Sequence, residues 1–217
     1  MIKTHMLQIL QCKACSNARR GNILEIAYMK VILILPVIRA PLHMASTRLV
    51  CPNVPHFNTK VICSNACGTK PLYDHCIDAM RRGGIDTSPS HTEETTVYAI
   101  LAANQALDSY DDTLNALSFQ LQRNTSLSGP DVDAYQGCMA DYTAAYNPLS
   151  AILYSNLNNC IFEHLVSGYI SSMTSVESCR DRMLVPWMKV SPVYPKVERD
   201  RNNVLMAYLL GKLLVGL

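Results

Sequence analysis

The feature that most constrains the fold is a long segment without a helix breaker. Residues 90–128 contain neither glycine nor proline, and their apolar residues recur in steps of three and four, which places them on one helical face. These apolar residues are Val97, Ile100, Leu101, Leu107, Tyr110, Leu114, Leu117 and Leu121. The pattern predicts a helix over residues 92–123, roughly 48 Å long. Because such a helix is stabilised mainly by packing of its apolar face, it needs partner helices.

Both ends of this long helix have sequence signals. Ser90 precedes Glu93 by three residues, which is the spacing of a capping box, so the helix is expected to begin just after Ser90. At the other end, Ser128 is followed by Gly129 and Pro130, a combination that predicts the end of the helix.

Three more segments show helical periodicity. The second is expected to begin near Asp131 and to kink at Pro148, the third to begin near Ile161, and the fourth to follow Pro192 and Pro195. The chain has few glycines and no alternating strand pattern. We therefore predict an all-α protein, an antiparallel up-down four-helix bundle.

Charge and hydropathy exclude two classes of partner. Residues 51–217 carry twelve Lys and Arg against sixteen Asp and Glu, without a basic cluster, so no nucleic-acid partner is expected. No apolar run approaches the ~18 residues that a transmembrane helix needs. A membrane partner is therefore not expected either.

The first 57 residues are expected to be an unstructured leader. A basic residue followed by the apolar run 31–38 resembles an imperfect signal peptide. Residues 1–28 are interpreted as an extension of the gene model, and the folded domain is predicted to span residues 58–217. A chain starting at Asn58 should then fold as well as the full chain.

The nine cysteines indicate disulfides if the chain is secreted, and metal or redox chemistry if it is intracellular. Cys67 and Cys76 bracket eight residues in a segment, 67–82, that is expected to form a small helical hairpin outside the bundle. Cys138 and Cys179 each lie within a helical pattern. That second pair would connect two helices.

Two groups of residues could carry chemistry, although each has a more ordinary interpretation. Cys160 and His164 share a helical face, as a thiolate and its base would, but the sequence shows no third group to orient the histidine. Cys12 and Cys15 form a lone CxxC, which is a weak signal without a second pair. Asn124 begins an Asn-Thr-Ser sequon and is the expected glycosylation site.

Two further groups of residues have the composition of a metal site or of an acid–base pair. Four residues could form a zinc site: Cys63, Cys67, His75 and Cys76. His75 and Cys76 are adjacent in the chain, however, and adjacent residues fit poorly as ligands of one metal. Three carboxylates could act as acid and base, but such a group is typical of the solvated side of a helix: Asp108, Asp111 and Asp112. We therefore expect no catalytic residue, no metal and no cofactor.

The order of these features is similar to that of a known plant family. A Cys-x8-Cys hairpin is followed by a long helix, a cysteine in the next helix, a further cysteine, and an apolar C-terminal helix after Ser191-Pro192-Val193. The stretches that carry the similarity are CGTKPLYDHCIDAMRR, YQGCMADYTAAY, SVESCRDRM and VSPVYPKVERDRNNVLMAYLLGKLL. Over about residues 58–217 the chain resembles the plant invertase and pectin methylesterase inhibitor family, most of all its pollen-allergen branch.

The resemblance implies a secreted protein without catalytic activity, located in the apoplast, the cell wall or the vacuole. It implies a disulfide-stapled bundle that begins with a helical hairpin. Its disulfides would join Cys67 to Cys76 and Cys138 to Cys179, with Cys160 unpaired. Members cover the active site of a pectin methylesterase or an acid invertase in a one-to-one complex.

The same resemblance gives a candidate partner contact. Invertase inhibitors carry a Pro-Lys-Phe motif shortly before the last cysteine. Phe162, Glu163 and His164 occupy that position here. These residue types differ from those of the motif. For Phe162 there is an alternative interpretation, in which its side chain belongs to the hydrophobic core.

A function of another class also fits the helical pattern. A small-molecule or lipid-binding bundle would use its apolar faces, with the ten methionines of this chain, to line a cavity. Apolar stripes in a bundle normally form a core. A solid interior favours the inhibitor, and a cavity on the order of several hundred Å³ favours the carrier.

Overall fold

The computed structural model describes residues 50–123, 127–184 and 191–215. Its helices and strands are β1 His56–Phe57, α1 Thr59–Ala66, α2 Lys70–Arg82, β2 Glu93–Glu94, α3 Thr95–Arg123, α4 Gly129–Ala151, α5 Leu165–Arg182 and α6 Tyr194–Lys212. Helices α3 to α6 form the predicted bundle, in which each helix packs against two others. Helices α1 and α2 form the hairpin that precedes it. None of the helices in the described ranges is both long and apolar enough to span a bilayer.

The start of α3 differs from the prediction. The helix begins at Thr95. The prediction of a capping box between Ser90 and Glu93 is wrong, because Glu93 and Glu94 form β2, which pairs antiparallel with β1. Thr95 then donates from its amide and its hydroxyl to the carbonyl oxygen of Pro55, at 3.0 and 2.8 Å. A partner distant in sequence therefore replaces the local cap.

The face that α3 turns to the core is made largely of small residues. Four alanines are fully buried: Ala99, Ala102, Ala103 and Ala106. Of the predicted apolar stripe, Leu107, Tyr110 and Leu117 are buried, whereas the other five members are only partly covered. Small side chains allow the neighbouring helices to approach closely. The larger side chains flank this line of contact.

The other bundle helices also depart from prediction at their ends. Ser128, not Asp131, caps α4, and the two residues form a reciprocal capping box. Helical structure continues through Pro148 and changes to a π-helix at Ile152–Asn156, followed by a 3₁₀ turn at Leu157–Asn159. Helix α5 begins at Leu165, four residues later than predicted.

A polar group lies at the centre of the bundle. Asp200 of α6 has no exposed surface, and its Oδ2 accepts hydrogen bonds from Thr113 at 2.5 Å and Tyr142 at 2.7 Å. Its Oδ1 has no hydrogen-bond partner among the described residues. Tyr110 packs edge-on against Tyr142 and shares a hydrogen bond with Ser172. The interior between the helices is thus occupied by aromatic and polar side chains.

Three disulfides cross-link the described residues: Cys51–Cys160, Cys63–Cys76 and Cys138–Cys179. The last is the predicted bundle staple, present between α4 and α5.

The other two disulfides correct the predictions. Cys67 does not pair with Cys76; it is a buried free thiol, and burial raises its pKa. Cys63 lies one helical turn earlier on the same face as Cys67. Packing of α1 on α2 brings its Cα within 5.8 Å of that of Cys76, within the range that a disulfide spans. Cys160, expected to be unpaired, is joined to Cys51.

The predicted domain boundary at residue 58 is also corrected. Residues 50–57, which were assigned to the leader, include the cross-linked Cys51 and strand β1. Both carboxylate oxygens of the buried Glu94 accept from the amide of Cys51, at 3.1 and 3.0 Å. Residues 50–57 therefore form a strap on the folded body. The rest of the predicted leader, residues 1–49, lies outside the described residues.

Candidate functional site

The candidate partner contact lies in a short segment, residues 160–164, between the 3₁₀ turn and α5. Cys160 and His164 both have left-handed backbone conformations, with φ of 56° and 65°, which are uncommon for residues other than glycine. The Cys51–Cys160 disulfide holds the start of the segment.

Hydrogen bonds fix the rest of this segment. The amide of Ile161 donates to the carbonyl of Asn156 at 3.0 Å, and the side chain of Asn156 donates to the carbonyl of Glu163 at 3.3 Å. The carbonyl of His164 accepts from Gly168 and from the hydroxyl of Ser167. The segment is therefore ordered by the fold itself, which lowers the entropic cost of binding a partner.

The three predicted contact residues are placed differently. Glu163 and His164 are exposed, whereas Phe162 is partly buried and packs on the core. All three line a groove of about 350 Å³ between the start of α5 and the end of α6. Phe162 thus fits both interpretations, since it packs against the core and also lines the groove.

Large apolar side chains are exposed around this groove. Ile170 and Val215 line it and are 45% and 47% exposed. Ile161, which precedes Phe162 in the chain, is 48% exposed. Apolar surface concentrated at one place is typical of a protein–protein contact. The arrangement can bind a protein surface.

The structure does not assemble the other chemical groups considered above. Cys160 and Cys76 are in disulfides and are unavailable as a nucleophile or as a zinc ligand. His75 instead shares a 2.9 Å hydrogen bond with Asn203, and burial lowers its pKa. Within the described ranges, no group of three or more His, Cys, Asp or Glu residues could hold a metal ion.

The three carboxylates on α3 are all exposed. Partial burial and the neighbouring charges of Asp108 and Asp112 raise the pKa of Asp111. Among the described residues, none lies within hydrogen-bonding distance of any of the three carboxylates. The sequon residue Asn124, the expected glycosylation site, lies outside the described residues, as do Cys12 and Cys15.

Sequence reasoning missed Cys51, which positions the candidate contact through its disulfide to Cys160. The two cysteines are 109 residues apart, and no local pattern connects them. The only available signal was an odd number of cysteines in a chain that was expected to be disulfide-bonded.

Comparison with known proteins supports the fold. No family model and no curated protein sequence matches this chain. Among solved structures, the chain is similar to a crystal structure of a mutant form of a pectin methylesterase inhibitor from Arabidopsis, with a TM-score of 0.59. The chain has the fold of that inhibitor. The match covers 72% of this chain and 96% of the inhibitor at 13% sequence identity, so the resemblance inferred from the cysteine order is supported at the level of the fold.

Proposed function

We propose that this protein is a non-enzymatic inhibitor of a carbohydrate-active enzyme, either a pectin methylesterase or an acid invertase, and that it binds one-to-one over the active site of that enzyme. The observation that carries the proposal is the shared fold: nearly the whole of a pectin methylesterase inhibitor superposes on this chain. The cysteine order of the sequence points to the same family. Secretion to the apoplast or the cell wall belongs to the same proposal, because target enzymes of this kind act there.

The contact surface in this proposal is the groove at the start of α5 with the apolar residues around it. The segment 160–164 is fixed by a disulfide and by hydrogen bonds, so it can bind without prior ordering. Its exposed Glu163 and His164 supply polar groups beside the apolar Ile161 and Ile170. A patch of apolar anchors with a polar border is the usual composition of a protein interface.

Electrostatics favour a basic partner. Residues 51–217 carry four more acidic than basic side chains, and an acidic surface accelerates encounter with a basic enzyme. The carrier alternative requires an apolar cavity inside the bundle and has no comparable support, because buried tyrosines occupy the space between the helices.

The proposal is tested by titrating the purified, oxidised protein against a pectin methylesterase and an acid invertase. Inhibition of one of them at micromolar concentration is expected, with one-to-one stoichiometry by calorimetry. If neither enzyme loses activity, the inhibitory function is wrong and the fold assignment remains.

A pair of matched variants locates the contact. Phe162→Ala should weaken inhibition by roughly thirtyfold if Phe162 is an interface anchor. Phe119→Ala, at an exposed phenylalanine on α3, should leave inhibition unchanged. Equal inhibition by both variants would place the contact elsewhere on the protein.

A further inference from the structure

The cleft between α2, α3 and α6 is lined mostly by polar and charged residues, and the proposed inhibitory contact does not use it. It has a volume of about 430 Å³, within the range of about 300–1,000 Å³ that is typical of small-molecule sites. Arg199 lines this cleft, whereas the groove is reached at Val215, just beyond the end of α6 at Lys212. Arg199 and Lys212 are about 20 Å apart along the axis of α6. The cleft and the groove are therefore separate surfaces.

The floor of the cleft is held in place by a chain of hydrogen bonds. Ser109 and Asn203 line the cleft and are only 6% and 5% exposed. Asn203 donates to the Ser109 hydroxyl at 2.9 Å, and that hydroxyl donates to the carbonyl of Ala106 at 2.9 Å. The side-chain oxygen of Asn203, Oδ1, lies 2.9 Å from Nε2 of His75. One amide hydrogen of Asn203 has no partner among the described residues and is available to a ligand.

The walls of the cleft carry further groups with free hydrogen-bonding capacity. Asn104 and Gln105 each use one amide hydrogen on a backbone carbonyl, at 3.0 and 2.7 Å, so each retains a carbonyl oxygen as an acceptor. The side chains of Arg82 and Asp108 make no hydrogen bond or ion pair with another described residue. Since Gln105 anchors on Ala79 of α2, the wall is fixed relative to the floor.

The charges of the cleft cancel. The lining includes two guanidinium groups, of Arg82 and Arg199, and two carboxylates, of Asp108 and Asp112. Arg199 Nε also lies 3.6 Å from Oδ1 of Asp200, which is buried and does not line the cleft. The closest approach between the two sets, from Arg199 Nη2 to Asp112 Oδ2, is 3.8 Å, which is too long for a hydrogen bond. An anion would meet two carboxylates and a cation would meet two guanidinium groups. The cleft therefore favours a neutral ligand.

Hydroxyl groups match this arrangement, because each can donate to a carboxylate or amide oxygen and accept from a guanidinium or amide N–H. Leu101 supplies an apolar surface in the lining, against which the C–H face of a ring can pack. We propose that the cleft between α2, α3 and α6 binds a neutral, hydroxyl-rich small molecule, a mono- or disaccharide. This site does not depend on the proposed inhibitory function.

The full chain should be titrated with glucose, galactose, mannose and sucrose by calorimetry and by ligand-observed NMR. At least one of these neutral sugars is expected to bind with a Kd of about 10 mM or lower. Galacturonate, an anion, and glucosamine, a cation, are the charge controls and should bind more weakly. Absence of binding by all four neutral sugars, or tighter binding of either charged sugar, overturns the proposal.

Two matched pairs of variants assign the binding to this cleft. Arg82→Met and Asp108→Asn should each weaken sugar binding about tenfold, since each removes hydrogen bonds to a charged group. Arg81→Met and Asp111→Asn change exposed neighbours that do not line the cleft and should change the Kd by less than about twofold. Equal losses in all four variants, or in none, would contradict the assignment. Inhibition by Phe162→Ala is a separate measurement, so the two proposals can fail independently.

Discussion

The four-helix bundle and the strap of residues 50–57 are stabilised in different ways. The bundle is stabilised by burial of many large side chains, of which Tyr110, Tyr142 and Leu117 have no exposed surface. The strap is too short for a core of its own. It is held instead by a few discrete ties to the body.

The ties between the strap and the body are hydrogen bonds and one disulfide. Tyr98 donates to the carbonyl of Phe57 at 2.8 Å, Thr95 donates to the carbonyl of Pro55 at 2.8 Å, and Glu94 accepts from the amide of Cys51. The Cys51–Cys160 disulfide adds a covalent link. The stability of the bundle depends on how completely buried side chains fill its interior. The attachment of the strap depends on a few individual bonds. Changes in the two regions should therefore have different consequences.

The largest effect is expected from removing the strap. A chain starting at Asn58 lacks Cys51 and β1, and the disulfide alone closes a loop whose entropy is worth about 4.8 kcal/mol. Since domains are stable by about 5–15 kcal/mol, the melting temperature should fall by more than about 10 °C. Circular dichroism measures it, with a chain starting at Val50 as the control. Equal melting temperatures would show that the strap is not structural, as the sequence alone had suggested.

A cavity in the bundle should come next. Leu117→Ala removes a fully buried side chain from α3 and should cost about 3 kcal/mol in denaturant unfolding. Phe119→Ala, two residues away and 51% exposed, should cost less than about 1 kcal/mol. Similar losses for the two variants would mean that α3 is not packed as described.

The buried carboxyl group makes the stability of the bundle depend on pH. Burial raises the pKa of Asp200 above its ordinary value, although hydrogen bonds from Thr113 and Tyr142 oppose this. A raised folded-state pKa contributes stability that is fully present below the unfolded-state pKa, near 3.9. That contribution is lost as pH rises through the folded-state pKa, with a slope of at most about 1.4 kcal/mol per pH unit.

Asp200→Asn removes this titration and keeps an oxygen acceptor for both hydroxyls. Unfolding free energies measured across acidic and neutral pH should show a loss with rising pH in the native chain that is absent from the variant. Parallel profiles for the two proteins would mean that Asp200 titrates as it does in the unfolded chain.

The smallest effect is expected from removing a single tie. Tyr98→Phe deletes the hydrogen bond to Phe57 without changing the packing of the ring and should cost about 1 kcal/mol. Tyr208→Phe is the matched control, because its hydroxyl makes no hydrogen bond with a described residue. A larger loss in Tyr208→Phe than in Tyr98→Phe would remove the distinction between a tie and simple packing.

The sequence predicts the four bundle helices because their periodicity is local and repeats over many residues. It predicts their ends less well, since a cap is a single interaction that a distant partner can replace, as Pro55 does at Thr95. It places eight large residues of α3 in the core, whereas the structure buries only three of them, Leu107, Tyr110 and Leu117, and adds four alanines. Periodicity reports which residues share a face, but not how closely the next helix approaches.

The candidate site is predictable only in part. The position of Phe162, Glu163 and His164 follows from the cysteine order, and their common groove follows only from packing of α5 against α6. The pairing of Cys160 with Cys51 spans 109 residues, and two-residue strands leave no pattern in the sequence. Contacts of this kind are set by the tertiary fold.

The overlap of two disulfide loops has a further consequence. The Cys51–Cys160 loop and the Cys138–Cys179 loop share residues 138–160. If a protease cuts one peptide bond anywhere between residues 51 and 179, at least one of these cross-links still joins the two pieces. A clipped molecule would keep its mass apart from one added water, and would come apart only after reduction. In a protease-rich environment, a single cut to this part of the chain would leave the protein covalently whole.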